Sequence, residues 1–114
     1  MLSLRNPCLD NPMGRLPTSF VNARDADEIR RLASHHGIPF NEAVRQILAL
    51  YLRQPFPLSS KRMGDSKTDR LPEMVAPLHV VEGVSVLALS LGHTRGEVLR
   101  QIIRGTLRKH HGRH

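Results

Sequence analysis

Cysteine and aromatic side chains are nearly absent from this chain, which has one Cys, no Trp, one Tyr and three Phe. A lone Cys8 excludes an intramolecular disulfide and the usual cysteine-based zinc cage. With no His or Asp adjoining it in sequence, it reads as an ordinary thiol. So few rings argue against single-stranded nucleic acid or RNA as the partner, because those platforms stack bases on aromatics. No apolar run approaches the roughly 18 residues needed to span a bilayer. The opening MLSLRNPCLDNPMG has no signal-peptide core, and a cytoplasmic protein without membrane association is expected. Nucleophile-base pairs, paired carboxylates and glycine-rich phosphate loops are likewise missing at useful spacing, so no enzyme, catalytic residue or cofactor is expected. Of the seven histidines, His35 and His36 would point about 100° apart on a helix. His110, His111 and His114 fall in a basic tail, so no metal site is expected either.

Positive charge is abundant. Lys and Arg number 17 against 10 Asp and Glu, a formal charge of +7, which points to a polyanionic partner, nucleic acid first and an anionic membrane surface second. At 114 residues and 39% hydrophobic content, the chain has material for one compact domain.

A shift of 55 residues lays the sequence over itself without a gap. Arg15-Leu16-Pro17 then meets Arg70-Leu71-Pro72, Leu32-Ala33 meets Leu87-Ala88, Gly37 meets Gly92 and Glu42 meets Glu97. Arg45-Gln46-Ile47 meets Arg100-Gln101-Ile102, and Leu52-Arg53 meets Leu107-Arg108. Twelve identities at one register indicate duplication. The chain therefore divides into a flexible arm (1–14), a first copy (15–53), a linker (54–69), a second copy (70–109) and a basic tail (110–114). The linker, QPFPLSSKRMGDSKTD, has the prolines, serines and glycine that disfavour regular structure. Extended, it spans about 50 Å.

Each copy has the same grammar. In the first, a short extended stretch over residues 18–21 leads to Asn22, with Asp25 three residues on, an N-cap signature. Ala26, Ile29, Leu32, Ala33 and His36 share a helical face, and Gly37 is the stop. A second helix over residues 41–53 buries Val44, Ile47, Leu48 and Tyr51. In the second copy Pro77 stands in a first turn, Val81, Val84, Leu87, Ala88 and Leu91 form the stripe, and Gly92 ends it. Thr94 and Glu97 then read as a full capping box ahead of Leu99, Ile102, Ile103 and Thr106. Val80, Val86 and Leu89 lie off the stripe, buried on a second side or offered as a contact patch. One strand and two short helices cannot bury their own stripes, so the copies are expected to pair.

Strand, capped helix, L-A-x-x-x-G and a second helix opening near S/T-x-x-E resemble the ribbon-helix-helix superfamily of DNA-binding proteins, over residues 15–53 and 70–108. Tandem copies in one chain are similar to the TraY type of conjugative relaxosome protein. The resemblance implies a mainly α fold with a short two-stranded antiparallel ribbon, the two units forming an intramolecular pseudo-dimer. It also implies binding of double-stranded DNA, in transcription regulation or at a plasmid transfer origin, with self-association on adjacent sites and relaxosome or transcription proteins as further partners. In that superfamily the ribbon enters the major groove and the amides opening each second helix hold phosphates. Carried over, the DNA-binding residues are Arg15, Thr18, Phe20, Arg70 and Glu73 on the ribbon and Asn41, Thr94 and Arg95 at the helix starts. If Val21 points inward, the groove-facing set is Leu16, Thr18 and Phe20; the opposite parity exposes Arg15, Pro17 and Ser19. A different class of function, an antitoxin-like or scaffold module gripping a protein through the apolar third helix, uses the same fold.

Overall fold

The computed structural model of the chain describes residues 13–16, 19–64, 67–71 and 74–111. Its elements run β1 (Met13–Leu16), β2 (Ser19–Val21), α1 (Ala23–His36), α2 (Phe40–Arg53), β3 (Asp69–Leu71), β4 (Met74–Pro77), α3 (Leu78–Leu91) and α4 (Arg95–His111). The protein is mainly helical with a small antiparallel sheet. No helix among the described residues is long and apolar enough to cross a membrane.

Local chemistry accounts for the helix boundaries. Asn22 adopts an extended backbone and its side chain accepts from the Asp25 amide at 2.9 Å, satisfying one of the orphan donors of α1. Gly37 and Gly92 both sit in the left-handed region, at φ 65° and 70°, and close α1 and α3. A side chain at either position would strain the backbone, which is why glycine recurs there. α2 begins at Phe40 after Pro39, one residue before the expected start, and has no side-chain cap. α4 runs to His111, into the stretch expected to be tail.

β1 pairs with β4 and β2 with β3, so each ladder joins the first half of the chain to the second. In every pair, from Met13 opposite Pro77 to Val21 opposite Asp69, the residue numbers add to 90, so both ladders share one register. The 55-residue shift turns Leu16 opposite Met74 into Leu71 opposite Ser19. β1 takes in Met13 and Gly14, assigned above to the arm, because their partners Pro77 and Ala76 extend β4 to the edge of α3.

Behind the ladders lies one apolar core. Ile29, Ala43, Ile47, Leu48, Ala76, Val80, Val84, Val98, Ile102 and Ile103 are fully shielded from solvent. The stripes expected for α1 and α2 are buried at Ala26, Ile29, Leu32, Ala33, Val44, Ile47, Leu48 and Tyr51. α3 differs from expectation. Val84 and Ala88 are buried, but Val81, Leu87 and Leu91 are only half-buried, and Val80 belongs to the core and not to a contact patch. Nine of the fourteen residues of α3 are apolar and spread round the helix, so the sequence offers several stripes and packing selects one. Position 80 corresponds to position 25 in the repeat, and Asp25 is buried too. There the inward side chain is charged, and Arg104 of α4 neutralises it at 2.7 Å.

The linker carries no helix or strand among its described residues, yet it is docked. It runs antiparallel to α4 in steps of one helical turn. The Phe56 ring lies over Gly105, the Ser59 amide donates to Gln101 Oε1 at 2.8 Å, and the Met63 amide donates to Glu97 Oε2 at 2.9 Å. Phe56 is fixed further by an edge-on contact with Tyr51, whose hydroxyl donates to the Phe56 carbonyl at 3.0 Å.

Candidate nucleic-acid interface

A ribbon laid on a core has one outward face, and strict alternation would place every second side chain on it. Here the inward residues are Leu16, Ser19 and Val21 on one strand and Leu71, Met74 and Ala76 on the other. Leu16 and Ser19, like Leu71 and Met74, are three apart, so neither expected parity holds along the whole strand. Leu16 and Ser19, each offered to solvent by one parity, are both buried. The outward set among the described residues combines Arg15 and Phe20 with Arg70 and Val75. Phe20 and Val75 are 43% and 41% exposed, substantial for apolar side chains. Register places Arg15 opposite Val75 and Arg70 opposite Phe20, one guanidinium and one apolar group in each pair. Thr18 and Glu73 lie outside the described residues.

Asn41, at the start of α2, is brought next to Arg15. Both line an open cleft of about 290 Å³ with Leu16, Arg45, Met74 and Val75. At the corresponding place on the other side, Ser19 Oγ donates to the Gly96 carbonyl at 2.9 Å and ties the first turn of α4 to the ribbon. Thr94 and Arg95 precede Gly96 and are exposed. Thr94 Oγ1 accepts from the Glu97 amide at 3.1 Å, the first half of the expected capping box. The second half is replaced: the Glu97 carboxylate is 1% exposed and holds Arg100, Gln101 and the Met63 amide. Burial alone would raise the Glu97 carboxyl, but the Met63 amide, Arg100 and Gln101 outweigh it and keep it below the usual carboxylate range.

Arg45 and Arg100 join α2 and α4 to the backbone of the ribbon. Arg45, held by Glu42 at 2.9 Å, donates from Nη1 to the Val75 carbonyl at 2.9 Å. Arg100, held by Glu97 at 2.6 Å, donates from Nη1 to the Phe20 carbonyl at 3.4 Å. Arg45 corresponds to Arg100 and Val75 to Phe20 under the 55-residue shift, so each half grips the strand of the other in the same way. Sequence reasoning aligned these arginines and glutamates but gave them no role. The available signal was polar identity: E-x-x-R-Q recurs at the same place in both second helices.

Among the described residues no cluster of His, Cys, Asp and Glu is arranged to hold a metal ion. The chain matches no family model, no curated protein and no solved structure.

Proposed function

We propose that the chain binds double-stranded DNA as a single-chain ribbon-helix-helix pseudo-dimer, its ribbon in the major groove and the starts of α2 and α4 against phosphates. The observation that carries this reading is the outward set of Arg15, Phe20, Arg70 and Val75. It is framed by one helix start at each end, and is related half to half by the reciprocal Arg45–Val75 and Arg100–Phe20 bonds. A ribbon presenting guanidinium groups and apolar side chains suits guanine edges and thymine methyls. The charge of +7 suits the phosphates. Because Phe20 corresponds to Val75 and Asn41 to Gly96, the two half-sites differ chemically, and an asymmetric target fits better than a perfect palindrome. The biological role follows as regulator or as accessory at a transfer origin, with no catalysis and no cofactor.

Selection of bound fragments from the source genome or plasmid, followed by footprinting, tests this. A site at the protein's own promoter argues for a regulator, and one beside a nick site for the relaxosome. Absence of duplex binding at low salt sinks the reading.

A second reading rests on α3. Val86 and Leu89 are 61% and 85% exposed on a helix with almost no charge, whereas the outward side of α1 carries Arg24, Asp27, Arg30 and Arg31. That apolar face suits a protein partner or a neighbouring copy on DNA. Tight capture of a co-expressed protein with only weak DNA affinity would favour the interaction module.

A further inference from the structure

The linker adds a basic surface beside the start of α4. Four hydrogen bonds strap residues 59–63 to the opening turns of α4 and to His93 just before it. The Ser59 amide donates to Gln101 Oε1 and the Met63 amide to Glu97 Oε2; Gln101 Nε2 donates to the Lys61 carbonyl at 3.2 Å; and His93 Nε2 lies 2.8 Å from the Ser59 carbonyl. A carbonyl only accepts, so His93 is the donor in the last of these. The anchoring Glu97 and Gln101 are buried, which fixes the strap to the helix and not merely near it. Lys61 and Arg62 are exposed, and the Met63 amide next to them is bonded to Glu97, two residues past exposed Arg95. Lys67 folds back on the same segment, donating to the Met63 carbonyl at 2.7 Å.

In α2 the counterpart Glu42 holds both Arg45 and Gln46, and Ile38 stands where His93 stands in the second half. We infer that residues 59–63 form a phosphate-binding strap, with Lys61 and Arg62 holding the duplex backbone beside the α4 end of the site. This rests on the DNA-binding reading above and deepens it. The strap extends the footprint at the α4 end of the site and holds the duplex independently of base contacts.

The test compares two double variants of the full chain that make the same change in charge. Lys61→Glu with Arg62→Glu alters the strap. Arg108→Glu with Lys109→Glu alters exposed residues about 14 Å further along α4 from the strap's anchors. Affinity for a footprinted duplex is measured against salt. Loss of two phosphate contacts should flatten the slope of log affinity on log salt by about 1.8, and the hydroxyl-radical footprint should recede at one end. The remote pair should leave the footprint intact and change the slope by less than half as much. A strap variant with the wild-type slope and footprint, in a protein whose Arg15→Ala and Arg70→Ala variants still bind poorly, overturns this inference alone. A wild-type chain that binds no duplex overturns it together with the DNA-binding reading.

Discussion

Arg100 reaches across the molecule to the carbonyl of Phe20 while its own carboxylate partner, Glu97, is 1% exposed. The corresponding Arg45 reaches Val75 from a pair that is less deeply buried, with side-chain exposures of 16% and 9%. Removing an arginine leaves a carboxylate behind, and the cost grows with how completely that carboxylate is cut off from water. Arg100→Ala should therefore destabilise by about 3–5 kcal/mol, and Arg45→Ala by about 1–3 kcal/mol. Urea unfolding followed by circular dichroism measures both, and equal losses would contradict the difference in burial.

Acid should act on the same cluster. The folded-state Glu97 carboxyl is held low, and in the unfolded chain it titrates near its ordinary value of about 4.3. A group depressed by folding contributes its stability above the unfolded value and loses it as pH falls through the folded one. Wild-type stability should decline below about pH 5, with a shallower decline in Glu97→Gln. Amide exchange at Met63 should quicken over the same range, since its acceptor is Glu97 Oε2. Identical pH profiles in the two proteins would remove Glu97 from the account.

Two helical glycines should respond in opposite ways to alanine. At Gly83 an added methyl meets Leu52 Cδ2 at 2.9 Å, the far end of a flexible side chain that can turn aside. Helix propensity then dominates, and Gly83→Ala should gain up to about 1 kcal/mol. At Gly105 the methyl would overlap the Phe56 ring, which Tyr51 also holds. Expelling the ring should outweigh propensity and cost about 1–3 kcal/mol. Adding Phe56→Ala to Gly105→Ala should then cost little more, and full additivity of the two changes would show that ring and glycine are not packed together.

The docked linker marks where sequence reasoning stopped. Asn22, Gly37 and Gly92 were legible because caps and left-handed stops depend on neighbours within four residues. The stripes of α1 and α2 were legible because polar residues flank them. Val80 was not, since α3 is apolar nearly all round and its inward face is settled by what packs on it. Glu97 and Gln101 were not, because a charged or amide side chain is assigned outward unless its partners are known, and Met63 lies 34 residues away. Strand parity failed for a similar reason: Leu16 and Ser19 both turn inward, and only the packed structure shows it. Of the interface, the helix starts and Arg15, Phe20 and Arg70 came from the sequence, whereas Val75 as the partner of Arg15 came from the register.

On α3, Val86 is 61% exposed, so Val86→Glu should leave stability within about 0.5 kcal/mol of wild type. Its effect should appear only where molecules meet: cooperativity on a duplex with several sites should fall while single-site affinity stays unchanged. Val86→Glu binding as cooperatively as wild type would leave assembly without this surface.

The ribbon and the helix starts should separate by the kind of loss each produces. Thr94→Asp and Arg95→Glu place negative charge where the proposed DNA-binding mode sets α4 against phosphate, so affinity should fall alike for every sequence. Arg15→Ala and Arg70→Ala should instead relax preference at one base pair each, by about 1–3 kcal/mol, in opposite halves of the target. Opposite halves follow from the register, which sets Arg15 against Val75 in one ladder and Arg70 against Phe20 in the other. With about five or six phosphate contacts, the wild-type slope of log affinity on log salt should be near −5. With so few base-reading groups, preference over random duplex should be about a thousandfold. The measurement is binding of each variant to a library with single substitutions through the footprinted site. If Arg15→Ala and Arg70→Ala weaken every library member equally, the guanidinium groups hold phosphate and the ribbon does not read the groove.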